Sequence, residues 1–196
     1  MYEKSMLKIQ KITWYDILKA ENKLPFEYRE SLKNKPTFYE SLVARYEIFT
    51  YENILPQVSL EGVPIFENEK YWSIAHKKDI IFVATGSHPL WVDIEIIQSR
   101  WSEIYSLHQE KEYELFWWKN QENFYMLWVV KESVIKLYLT SLDEKEYIIF
   151  HHLERKNIMI EWIEFQYMIL GNFQNHNFKS YIWKNTSFIW SISMER

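Results

Sequence analysis

The strongest constraint on the fold of this chain is a change of hydrophobic period partway along it. Upstream, Tyr39, Leu42, Val43, Tyr46 and Phe49 recur in steps of three and four and form the apolar stripe of a helix. Pro36-Thr37 opens that helix, with Thr37 placed to cap it and Glu40 to complete a capping box. Past Pro56 the period shortens. Tyr71 to Ala75, Ile80 to Thr85 and Leu90 to Ile97 read as short strands, separated by the turn-like Lys77-Lys78-Asp79 and Gly86-Ser87-His88-Pro89. Met6 to Trp14 reads as a first strand, followed by helical material containing Leu18 and Leu24. Downstream, Trp101 to Trp118 and Asn123 to Leu139 read as helices. Tyr147 to Leu153, Asn157 to Phe165, Phe178 to Trp183 and Phe188 to Ser193 then read as strands. The order of helix, strands, helix, strands predicts an α+β architecture, with helices packed on antiparallel sheets.

Composition narrows what such a fold can do. A chain of 196 residues buries a substantial core without disulfides, in one domain or two small ones. It has no cysteine, which excludes a disulfide framework and a thiolate zinc site. A net charge of −4 argues against bulk attraction to nucleic acid or an anionic membrane. The ten tryptophans are scattered with no accompanying basic run, so packing explains them better than base stacking. Lys8, Lys11, Asp16 and Lys19 interrupt every early apolar run, so no signal peptide is expected. No apolar segment approaches the length of a bilayer span, and a soluble, cytoplasmic protein is the expectation. His151 and His152 fall on opposite faces of a strand, one expected buried and the other exposed, and so do not serve one metal together. Lys4, Lys8 and Lys11 suit an acidic partner or a solvated strand edge equally well.

The residues that carry chemistry form a split acidic constellation. Asp93 and Glu95 alternate along a strand and project from one face, while Val92, Ile94 and Ile96 line the other. Downstream, Trp128, Lys131, Glu132 and Lys136 lie on one helix, where Glu132 and Lys136 are a turn apart and share a face. Hard carboxylate oxygens on two elements, with a lysine beside them, suit a magnesium ion holding a phosphate ester. Each half has a plainer reading alone, a solvated strand face and a surface ion pair. Their co-occurrence in order, after Tyr71-Trp72-Ser73-Ile74-Ala75-His76-Lys77, favours the site.

These motifs resemble those of the phosphopantetheinyl transferases, in the order of the longer, monomeric, surfactin-synthetase-activating type. That family has Gly-Lys-Pro, an aromatic strand ending in Ser-x-Ser-His-Ser, then Gly-x-Asp-x-Glu, then Trp-x-x-Lys-Glu-(Ala/Ser)-x-x-Lys. This chain supplies Gly62 and Pro64, Ser73 and His76, Asp93 and Glu95, and Trp128, Lys131, Glu132, Ser133 and Lys136. The resemblance runs from about Arg45 to Lys136, and its last motif is the most specific. Val63, Ala75, Lys77 and Trp91 depart from the pattern, as does the absence of glycine from Leu137 to Leu142. The departures bear on nucleotide recognition more than on metal binding.

The resemblance implies two similar halves, residues 1–89 and 90–196, each with helices on a small antiparallel sheet and the site at their seam. It implies transfer of phosphopantetheine from coenzyme A to a serine of an acyl or peptidyl carrier protein. Asp93, Glu95 and Glu132 would hold Mg2+ on the pyrophosphate, and Lys136 would stabilise the leaving phosphate oxygen. Arg45, His76, Lys77, Lys131 and Lys136 would contact coenzyme A, with Lys77 substituting for the lysine absent at Val63. The serine proton would pass to Glu132 or to a metal-bound water. A noncatalytic member that still binds carrier protein or coenzyme A is a second reading. A metal-dependent nuclease is a third, weakened because Glu95 is followed by Ile96 and Ile97 and not by an acid-x-lysine pair.

Overall fold

The computed structural model describes residues 5–33, 36–59, 64–66, 69–99, 102–116, 118–138, 147–160 and 162–196. The architecture is α+β, and the chain divides into two compact units, Met1–Ser87 and His88–Arg196.

The first unit runs β1 (Met6–Lys11), α1 (Trp14–Lys23), α2 (Phe26–Leu32), α3 (Phe38–Glu52), β2 (Gln57–Val58), β3 (Pro64–Ile65), β4 (Tyr71–Lys77) and β5 (Ile80–Gly86). β1, β5 and β4 form an antiparallel sheet in that order, and α3 packs on β5 and β4 with α1 and α2 against it. Ala20, Leu24, Leu42, Val43, Ile48, Trp72, Ile81 and Val83 fill the core.

The first strand stops at Lys11, because Thr13 caps α1. Asp16 Oδ2 accepts from the Thr13 amide at 2.8 Å and Thr13 Oγ1 accepts from the Asp16 amide at 3.3 Å, a capping box. The box expected at Thr37 and Glu40 does not form: Thr37 precedes α3 with ψ 44, outside the extended range that aims a cap side chain at the helix, and makes no side-chain cap bond. The turn between β4 and β5 is Lys78-Asp79, with Lys78 at φ 53, so Lys77 belongs to the strand.

The second unit opens with β6 (Leu90–Ile96). The 3-10 turns Ser102–Leu107 and Glu114–Phe116 flank α4 (Glu110–Tyr113), and α5 (Gln121–Leu137) follows. β7 (Ile149–Ile160), β8 (Ile163–Phe173), β9 (His176–Lys184) and β10 (Phe188–Glu195) complete it. The five strands form an antiparallel sheet in the order β6-β10-β9-β8-β7, and α5 lies across β10, β6 and β9. Tyr125, Leu127, Val130 and Val134 of α5 share a core with Ile169, Phe173, Phe178, Ile182 and Ile189 of the sheet.

Three expectations fail here. The single helix over Trp101 to Trp118 is broken where His108 turns inward, its Nε2 3.1 Å from the Phe124 carbonyl, and Gln109 starts a new short helix. The strand expected over Asn157 to Phe165 is the end of β7, a turn at Trp162 and the start of β8. Apolar residues recur straight through that turn, which has neither Gly nor Pro to mark it, so pattern alone merges the two strands. β7 is also irregular between Phe150 and His152, and this offset leaves both His151 and His152 exposed, not one buried as alternation predicts. No helix among the described residues is long and apolar enough to cross a membrane.

Candidate functional site

β6 is an edge strand of the five-stranded sheet, and its partner β10 sets Asp93 opposite Ser191 and Glu95 opposite Ile189. Trp91 and Ile189 both belong to the α5 core, so period-two alternation turns Trp91, Asp93 and Glu95 toward α5. Val92 and Ile94, on the opposite face, are buried too. α5 begins at Asn120, whose Oδ1 accepts from the Asn123 amide at 2.8 Å. Four turns later Lys136 reaches the sheet, its Nζ 2.5 Å from Asp93 Oδ1. Burial works against the ammonium, but Asp93, by charge and hydrogen bond, with Glu132 and Glu95 behind it, outweighs burial and raises the Lys136 pKa above the ordinary lysine value. Asp93, Glu95, Glu132 and Lys136 thus share one electrostatic neighbourhood in the second unit.

In donor chemistry hard carboxylate oxygens suit a divalent cation: Asp93 pairs with the Lys136 ammonium, and Glu132 and Glu95 add negative charge that favours it. Among the described residues, no group of three or more His, Asp or Glu side chains is placed to hold a metal ion. The cation seated on Asp93 is the protein's own.

Lys131 belongs elsewhere, and its assignment to coenzyme A is corrected. One residue along a helix turns the side chain by about 100°, and Lys131 points away from Asp93 into the core. Its Nζ lies 2.8 Å from Glu112 Oε2, with the two side chains 2% and 3% exposed. The Gln109 amide donates to the same oxygen at 2.8 Å, and His108 Nδ1 is 4.0 Å from it. Lys131 is a strut joining α5 to α4, enclosed and already paired, so it is not accessible to a phosphate. Trp128 stacks on Phe124, with ring centroids 6.0 Å apart, and is a half-buried packing residue.

Arg45, His76 and Lys77 belong to the first unit. Arg45 is not a solvated surface residue: it is 5% exposed, donates to Ser41 Oγ at 3.1 Å and lies 5.7 Å from the centre of the Trp72 ring. Burial lowers its pKa, and Tyr28 opposes that shift. His76 lies directly opposite Ile81 and shares a strand face with Trp72 and Ile74, the side on which Arg45 lies over Trp72. Lys77, the last residue of β4, alternates to the other face with Ala75 and Ser73, away from His76. Gly62 and Val63 lie outside the described residues, whereas Pro64 is buried in β3.

Pattern reading missed a set of four buried serines beneath α5. Ser133 Oγ lies 2.9 Å from Ser191 Oγ and 2.7 Å from Ser193 Oγ, and Ser180 Oγ lies 2.5 Å from Ser193 Oγ. A signal was present, since Ser191 and Ser193 alternate within the otherwise apolar Phe188 to Met194 run. It marked a polar stripe on a buried face without naming its partner. No family model matches this sequence, and no curated protein matches it either.

Proposed function

We propose that this protein is a magnesium-dependent phosphopantetheinyl transferase acting on an acyl or peptidyl carrier protein. The observation that carries the reading is the Lys136–Asp93 ion pair, which joins the two sequence motifs, with Glu132 and Glu95 adding negative charge that favours the Lys136 ammonium. The motif resemblance supplies the reaction. The division of the chain into two compact units is compatible with the two-halved plan of that family, and a cytoplasmic monomer is the form it implies.

Asp93, Glu95 and Glu132 would hold Mg2+, which supplies charge neutralisation at the coenzyme A pyrophosphate. Lys136 takes the charge that develops on the leaving phosphate oxygen as the bond to the nucleotide half breaks. The carrier serine oxygen forms the new bond to the phosphorus bearing pantetheine. Glu132 is the residue of this chain suited to accept the serine proton. His76 is the candidate contact for the nucleotide phosphates, with Lys77 a weaker one because it faces the other way; Arg45, buried against Trp72 and bound to Ser41, is enclosed as Lys131 is and is not proposed for that role. Lys136, which pairs with Asp93 Oδ1, would leave that oxygen to take up charge on a phosphate.

The test is incubation with coenzyme A, magnesium and an acyl carrier protein, followed by intact-mass measurement of the carrier. Gain of the phosphopantetheine mass, lost in Asp93→Asn and Glu132→Gln, is the expected result. No transfer to several carriers by folded protein would refute the enzyme, and coenzyme A binding retained under those conditions would favour the noncatalytic reading.

A further inference from the structure

Ser133, Ser180, Ser191 and Ser193 are all fully buried, on three different elements: α5, β9 and β10. Ser180 and Ser193 are direct cross-strand partners. Besides the contacts among themselves, Ser191 Oγ donates to the Val129 carbonyl at 2.8 Å and Ser133 Oγ to the Val130 carbonyl at 3.0 Å. Each hydroxyl has one proton. Ser180 donating to Ser193, Ser193 to Ser133, Ser133 to Val130 and Ser191 to Val129 uses all four. The remaining contact, Ser133 to Ser191, is met by sharing the Ser133 proton. The network is closed on the helix backbone and makes full use of its donors.

Apolar packing fixes how far a helix stands from a sheet but tolerates small slides and rotations, because it is non-directional. Hydrogen bonds between buried hydroxyls are directional, and a slide that breaks one leaves a buried polar group unmatched. The network lies where such a slide would matter. Ser133 follows Glu132 directly and sits one turn before Lys136, and Ser191 is the cross-strand partner of Asp93.

We propose that Ser133 and Ser191 are positioning residues: they fix the register of α5 on β10, and so hold Lys136 on Asp93. The catalytic consequence rests on the transferase reading; the positioning itself does not. The experiment is a mutant cycle on the whole chain, read by urea unfolding. The coupling between Asp93→Asn and Lys136→Met is measured in the parent, in Ser133→Ala and in Ser191→Ala. Val134→Ala, a core truncation on the same helix, serves as the comparison for lost stability alone.

Loss of most of the coupling in either serine variant, with the coupling kept in Val134→Ala, is the expected result. Should one serine variant fail to fold, the other carries the test. Coupling equal to the parent's in the folded serine variants, whatever their stability, overturns the proposal. Coenzyme A binding with magnesium is measured on the same proteins. Lost coupling in the serine variants, together with no coenzyme A binding by the parent, keeps the positioning role and removes the transferase reading.

Discussion

Replacing Lys131 with Met separates a structural strut from a coenzyme contact, because the two roles predict opposite outcomes. Met keeps most of the volume of the lysine stem but removes its charge, leaving Glu112 3% exposed with one amide donor, Gln109 N–H at 2.8 Å, and His108 Nδ1 4.0 Å away. Breaking a buried pair on one side costs about 3–5 kcal/mol, since the remaining charge stays buried without its counter-ion. Against a typical domain stability of about 5–15 kcal/mol, that is a large share of what holds the second unit together. Removing both charges, as Lys131→Met with Glu112→Leu, should recover most of the loss, because the desolvation penalty disappears along with the attraction. Urea unfolding monitored by tryptophan fluorescence reads all three proteins, Trp128 lying on the same helix. A loss below about 1 kcal/mol, the range of an exposed pair, would refute the strut. So would full stability combined with loss of coenzyme A affinity.

Gly171→Ala should destabilise the five-stranded sheet by about 1–3 kcal/mol or more, because the added Cβ would strike the Phe178 ring and come within 2.6 Å of the Ile149 carbonyl oxygen. An unchanged thermal midpoint by circular dichroism would show that the sheet yields there. Burial, opposed by Arg45, pushes the Tyr28 hydroxyl up to about 12 from 10.0. Its folded pKa is the higher one, so its contribution is complete below pH 10.0 and is lost as pH rises towards about 12. Tyr28→Phe should flatten the decline of stability in that window, and identical slopes for parent and variant would exclude the effect. Coenzyme A at a hundredfold excess over its dissociation constant should stabilise the protein by about 2.7 kcal/mol, and only with magnesium present. A melting shift that survives chelator would contradict a bridging ion.

Much of the candidate site was legible because its logic is local. Period-two alternation along β6 turns Asp93 and Glu95 to one side, and one helical turn brings Glu132 and Lys136 onto a common face, whatever lies opposite. The strand and helix types around them were readable for the same reason. Errors arose where the local pattern is ambiguous. The Trp162 turn has no Gly or Pro, and an apolar rhythm runs across it. Thr37 and Glu40 match a capping box, yet the backbone at Thr37 does not aim the side chain at the helix end.

The sequence by itself determined the class of fold, the acidic strand face and the Glu132–Lys136 face of α5, because each follows from backbone geometry over fewer than about a dozen residues. Tertiary structure alone decided the partners. Lys136 meets Asp93 across 43 residues, and Ser133 meets Ser191 and Ser193 across 58 and 60. Lys131 and Glu132 are neighbours in sequence, yet one is sealed against Glu112 and the other adds its charge to the side of α5 that carries Lys136. The reason is physical: a side chain's direction is set by its own backbone, whereas what it meets is set by how α5 is registered on β10 and β6, and sequence spacing carries no information about that register.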